Sequence, residues 1–138
     1  AVGAAAARAY TGVKTKLIGV VSAHATAYLD SFKAGRKLEA PVTTQLADGM
    51  ACRVPDEESL AIVLREADDV IAVTDTEVAQ AMRMLFACTH NVAEGAGAAS
   101  MAAAAQQREK WAGKVVGTTL CGGNVDSDVF ARVLSGEI

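Results

Sequence analysis

Three short β-branched runs, separated by stretches with helical spacing, constrain this chain more than any other feature. Lys16 to Val21 (Lys-Leu-Ile-Gly-Val-Val), Asp69 to Thr74 (Asp-Val-Ile-Ala-Val-Thr) and Lys114 to Leu120 each read as a strand. The first is apolar along most of its length rather than alternating, as a strand covered on both faces is. Strands alternating with helices argue for α/β architecture with a mainly parallel sheet. Three strands make a poor independent sheet. The expected architecture is therefore a partial three-layer α/β/α domain, incomplete without upstream strands.

The helices between them carry local punctuation. Residues Val2 to Tyr10 are Ala-rich and free of Pro, and Thr11-Gly12 ends them. Ser22 to Ala34 is expected to be helical, with Tyr28, Leu29 and Phe32 inward and Gly35 as a left-handed cap. Arg36 to Val54 has little periodicity and contains Pro41 and Asp48-Gly49, so it reads as a long ordered loop, a length usually associated with function. Asp56 opens a helix to about Ala67, with Leu60, Val63, Leu64 and Ala67 at helical spacing. Thr74 or Asp75 caps the next helix, with Glu77 placed to complete a capping box from Thr74. Val78, Ala81, Met82, Leu85 and Phe86 form its apolar face. Glu94-Gly-Ala-Gly-Ala-Ala starts a helix to about Lys110 whose small residues permit close packing. Ser127 to Leu134 is the last helix.

The chain has 138 residues, enough for one domain burying about two-thirds of the surface its unfolded form exposes. Its hydrophobic fraction is 51% but its aromatic fraction only 4%, so the core is aliphatic. A net charge of -3 without a Lys/Arg cluster gives no reason to expect nucleic acid. The apolar stretches Ala1 to Ala7 and Ala98 to Ala105 fall short of the roughly 20 residues of a membrane span. Cys52, Cys88 and Cys121 are widely spaced, without a zinc-ligand pattern, which suits reduced thiols in a cytoplasmic protein. Cys52 and Cys88 read as small core residues, and Met82, Met84 and Met101 as helical packing. The chain starts at Ala1 without a leader, so it is expected to continue upstream.

Candidate site residues fall at the glycines. Cys121-Gly122-Gly123-Asn124 follows the third run, where a parallel sheet binds ligands, but the same residues serve equally as a tight strand-to-helix turn. Glu94, before Gly95 and Gly97, is either a carboxylate near a ligand or an acid stabilising a helix start. Gly49 either lets main chain touch a planar ligand or belongs to an ordinary turn. His24 and His90 have no paired acid at a recognisable spacing and read as surface or capping residues.

In order along the chain, Leu46-Ala47-Asp48-Gly49-Met50, Asp68-Asp69-Val70-Ile71-Ala72-Val73-Thr74, Glu94-Gly95-Ala96-Gly97-Ala98-Ala99 and Leu120-Cys121-Gly122-Gly123-Asn124-Val125-Asp126 resemble the downstream motifs of the threonine/serine dehydratase (threonine ammonia-lyase) family. Ile18-Gly19-Val20-Val21 resembles a strand of that family's large domain, so the resemblance covers essentially the whole chain. It implies the fold of pyridoxal-phosphate enzymes related to the tryptophan synthase β subunit. It also implies elimination of water from a β-hydroxy amino acid, giving a 2-oxo acid and ammonia, with pyridoxal 5'-phosphate as cofactor. By the same resemblance Cys121 stands where a Ser, Thr or Cys faces the pyridine nitrogen, with Gly122 beside it. Gly49 stands at the cofactor-proximal loop, and Glu94 is the carboxylate near the ring.

Other parts of the family pattern are absent. No lysine here has the Ser-x-Lys setting of the Schiff-base residue, and the Ser-Gly-Asn motif and the tetraglycine phosphate loop are missing. By that likeness residues 1–138 are the carboxy-terminal part of the large domain. No catalytic residue is assigned within it, and the chain alone is expected to be inactive. The acids that hold a divalent metal in the serine-racemase branch are replaced by Val21 and by Ala27 or its neighbours, so no metal is expected there. The implied partners are an amino acid substrate, the upstream half of the same enzyme and further copies of the chain. Alternatives are a dehydratase for another hydroxy amino acid such as hydroxyaspartate, or a non-catalytic subunit that binds a partner through its sheet edge.

Overall fold

A computed structural model describes residues 2–138. Helix α1 (Val2–Thr11) leads into strand β1 (Ile18–Ser22), followed by α2 (Ala27–Ala34), a single 3-10 turn at Asp48–Met50, and α3 (Glu57–Glu66). Strand β2 (Asp69–Val73), α4 (Asp75–Thr89), α5 (Gly95–Gln106) and α6 (Ser127–Ser135) complete it. The strands pair in parallel, Gly19 beside Val70 and Val21 beside Ala72.

The sheet is the middle of three layers because successive side chains point to opposite faces. Val20, Ile71 and Val73 face a cluster built from Val78, Ala81 and Met82 of α4 and Ala98, Ala99, Ala102 and Ala103 of α5. Val21, Val70 and Ala72 face Leu29 of α2 and Val63 of α3. Small residues let α4 and α5 approach closely. Phe130 of α6 meets Phe86 of α4 edge to face, centroids 5.5 Å apart, and Arg83 donates to the carbonyls of Val133 and Ile138 at 2.7 and 2.8 Å.

Local signals set the helix ends. Asp56 caps α3 by accepting from the Ser59 N–H at 2.8 Å. Thr74 caps α4 in a complete capping box with Glu77. Gly35 closes α2 with φ 65°, and His90 closes α4 with φ 58°.

The expected third strand is absent: Lys114 to Leu120 pairs with no strand among the described residues and is exposed along its length. A strand needs a neighbour to satisfy its backbone, and no strand here lies beside this run. The helix expected from Ser22 begins only at Ala27, because Ser22 ends β1 and its hydroxyl accepts from the His24 N–H at 3.1 Å, making a turn first. α5 stops at Gln106 instead of near Lys110, giving way to turns. Cys88 is exposed and Cys52 half-buried, so the expected core role fails for Cys88. Met84 and Leu64 also sit toward solvent, at the edges of their helices' apolar stripes.

Candidate functional site

The amino end of α5 is where separate parts of the chain converge, and its glycines make that possible. A Cβ on Gly95 would overlap the Leu46 carbonyl, and one on Gly97 would overlap the carbonyl of Cys121. A Cβ on Gly49 would come 2.8 Å from that of Ala96. The loop around Asp48-Gly49 and the turn around Cys121-Gly122 are thus pressed against one helix start.

Glu94 sits between them. It is the N-cap residue of α5, yet its side chain makes no capping bond. Its Oε2 instead accepts from the Asn124 N–H at 3.1 Å, and its own N–H donates to the Gly122 carbonyl at 3.1 Å. Oε1 packs against Gly122, whose φ of 75° suits glycine. The same oxygen would lie 3.8 Å from a Cβ on Gly49. The Ser100 hydroxyl extends the contact by donating to the Thr119 carbonyl at 2.7 Å and accepting from its N–H at 3.1 Å. All four candidate residues, Gly49, Glu94, Cys121 and Gly122, therefore lie around one helix terminus.

Two contributors escaped the sequence reading. Asp75, one of two candidate caps, instead pins the loop leading to Gly49, accepting from the Thr44 hydroxyl and the Gln45 N–H, both at 2.8 Å. Tyr28, expected only to point inward, borders a cavity of about 380 Å³ with Val20, Val21, Asp48, Gly49 and Met50. Asp75 lies at a helix start, where an acid already has a local explanation, and no spacing rule links it to a loop thirty residues earlier. His24 and His90 are exposed, and neither joins the site. Among the described residues no group of three or more His, Cys, Asp or Glu could hold a metal.

The electrostatic shifts lie elsewhere. Backbone N–H donation from Leu17 and the Arg8 guanidinium hold the Asp68 carboxyl below its usual range, against desolvation. Glu77 is also lowered: burial opposes this, but bonds from the Thr74 N–H, Gln106 and the Thr74 hydroxyl outweigh it. These bonds join α1 to the start of β2 and α5 to the cap of α4.

A parallel sheet with helices on both faces and glycine turns gathered at one helix start places the chain in the α/β class, whose ligands bind beyond the strand ends. The chain belongs to the family of pyridoxal-phosphate dependent enzymes, whose model matches residues 1–122. It is similar to the L-threonine ammonia-lyase of Geobacter sulfurreducens, 36% identical over 96% of this chain and 33% of that protein. It is also similar to the L-threonine ammonia-lyase of Thermotoga maritima, 31% identical over 88% of this chain and 30% of that protein. The processed form of threonine deaminase isoform 2 from Solanum lycopersicum shares the fold, with a TM-score of 0.88 and 24% identity over 97% of this chain and 40% of that one. The chain thus spans about a third of the length of the two curated relatives.

Ala96 packs where a Cβ of Gly49 would lie and Glu94 where one of Gly122 would lie, and Cys121 is exposed beside them. Among the described residues no lysine makes a hydrogen bond or ion pair at this corner; Lys37 pairs with Glu57 at 3.4 Å and Lys110 with Asp69 at 3.8 Å.

Proposed function

We propose that residues 1–138 are the carboxy-terminal part of the large domain of a pyridoxal-phosphate-dependent threonine/serine dehydratase. The reaction eliminates water from a hydroxy amino acid and yields a 2-oxo acid and ammonia. The observation that carries this reading is the convergence of Gly49, Glu94, Cys121 and Gly122 on the start of α5. Those are the residues that the resemblance assigns to the cofactor wall, drawn from segments up to 73 positions apart.

When bound, pyridoxal 5'-phosphate supplies the electron sink for charge developing at the substrate's α-carbon. This chain's own share is to hold the ring. On the family resemblance Cys121 would face the pyridine nitrogen with a thiol, which would not keep that nitrogen protonated as a carboxylate would. On the same resemblance Gly122 and Gly49 would lie beside the ring, each glycine making room for the Glu94 or Ala96 side chain packed on it. The lysine that anchors the cofactor and moves the substrate's proton comes from the upstream half of the same enzyme, so the 138-residue chain alone is inactive.

The partners are an amino acid substrate, that upstream half, and further copies of the chain in a homo-oligomer, in the cytoplasm. Among the described residues no helix is long and apolar enough to cross a membrane.

The experiment is an assay of the full-length protein for 2-oxo acid and ammonia from L-threonine, L-serine and 3-hydroxyaspartate, with a visible spectrum of the purified protein. Turnover of threonine or serine together with a lysine-linked cofactor band is expected. A colourless protein that neither binds added pyridoxal 5'-phosphate nor releases ammonia would overturn the reading in favour of a non-catalytic subunit.

A further inference from the structure

We infer that Glu94 is a positioning residue, whose carboxylate holds the Gly122–Asn124 turn and so fixes Cys121, rather than a group that meets the bound ligand. This rests on the cofactor reading above.

A short acid such as Asp at the N-cap ordinarily turns its side chain back onto the first N–H groups of the helix it opens. Glu94 does not, and its side chain leaves the helix for the turn. The link runs in both directions: the Glu94 N–H donates to the Gly122 carbonyl, and the Asn124 N–H donates to Oε2, each at 3.1 Å. Three residues of turn are therefore held at both ends by one residue. Oε1 packs against the bare Cα of Gly122, where a Cβ would overlap it.

The turn needs such a hold. Gly122 is left-handed at φ 75°, Gly123 follows it, and the run before Cys121 has no strand partner among the described residues. On the other side the Cys121 carbonyl is seated on Gly97 of α5. Cys121 is thus placed between a helix it packs on and a turn that Glu94 ties down. Its position depends on an accepted hydrogen bond, and that separates reach from charge.

The test uses Glu94→Gln, Glu94→Asp and Glu94→Ala in the full-length protein, with three readouts. These are hydrogen exchange of the peptide containing Asn124, alkylation of Cys121 by iodoacetamide in cofactor-free protein, and affinity for pyridoxal 5'-phosphate by absorbance. Peptide mapping separates Cys121 from Cys52 and Cys88. Glu94→Gln keeps an acceptor oxygen at the same reach and should stay closer to the parent than Glu94→Asp in all three. Glu94→Asp keeps the charge but falls one methylene short, so it should behave like Glu94→Ala. For both, a lost hydrogen bond predicts exchange at Asn124 faster by up to about tenfold, with a changed Cys121 alkylation rate and cofactor affinity weaker by up to about tenfold. The opposite order, Gln impaired and Asp intact in cofactor binding with Asn124 exchange unchanged, would overturn the inference by placing the charge itself on the ligand. If Glu94→Ala fails to fold, the Gln and Asp pair still decides it. A parent protein that binds no cofactor defeats the cofactor reading instead, while exchange at Asn124 still reports whether Glu94 holds the turn.

Discussion

Gly97 and Cys121 show how single atoms set this corner of the molecule. Gly97 lies inside a helix, where Ala would ordinarily be favoured by close to 1 kcal/mol. Here the sign reverses, because the added methyl would overlap the Cys121 carbonyl, a backbone atom that cannot swing away. Gly97→Ala should therefore lower stability by about 1–3 kcal/mol, an overpacking cost, and loosen the Cys121 turn. The denaturant midpoint checks this, and a more stable variant would show that the turn yields freely. Cys121 makes a chemical prediction. Cys121→Ser should keep cofactor binding and turnover in the full-length enzyme, whereas Cys121→Asp should bind cofactor and lose elimination by protonating the ring nitrogen. Equal turnover of the two variants would remove the role assigned to the thiol. Asp68 adds a pH dependence. Its folded pKa is lowered by the Leu17 N–H and then by Arg8, so its stabilisation is present above the unfolded value of 3.8 and lost as pH falls through the folded one. The melting temperatures of the parent and of Asp68→Asn should differ at neutral pH and converge in acid. A constant gap across that range would count against the assignment.

At the scale of elements, what was legible in the sequence is what local residues decide. The parallel pairing of β1 with β2 follows from two buried β-branched runs joined through helices. The capping box at Thr74 and Glu77 is visible because both partners lie within one turn. The ends of α2 and α5 were less legible, since the Ser22 hydroxyl and the turns after Gln106 compete with helix in ways that composition does not reveal. Lys114 to Leu120 has strand composition and no ladder, because a strand is a property of two segments and the run contains only one. The candidate site divides in the same way. Glycines and an acid at a helix start drew attention to Gly49, Glu94 and Cys121, but the bond from Asn124 to Glu94 spans thirty residues and no periodicity announces it. The edges of the sheet differ as well. Gln106 of α5 donates to the Ala72 carbonyl at 3.0 Å, covering part of the outer edge of β2, while β1 has no second neighbour among the described residues. Any added strand is therefore favoured at β1.

For the whole molecule, the unpaired run leaves an apolar surface that a stable protein rarely presents to water. Val115 is fully exposed, with Val116 and Leu120 at 46% and 41%, so one β-branched segment shows both of its faces to solvent. An exposed β-branched segment without a strand partner is a template for pairing with other chains. The isolated 138-residue chain should therefore self-associate as its concentration rises; on the proposed reading an upstream half would cover the run, and the full-length protein should not self-associate through this segment. Val115→Lys with Val116→Lys puts two like charges on the run, which should dissociate the isolated chain without unfolding the core, since neither side chain is buried. In the full-length protein the same pair should instead cost stability, because the run would there be enclosed between other parts of the sheet. Sedimentation velocity on both forms, with melting curves, reads the two effects separately. An isolated chain that stays monomeric at high concentration would show that the run needs no partner, and the reason to expect an assembly through it would be gone.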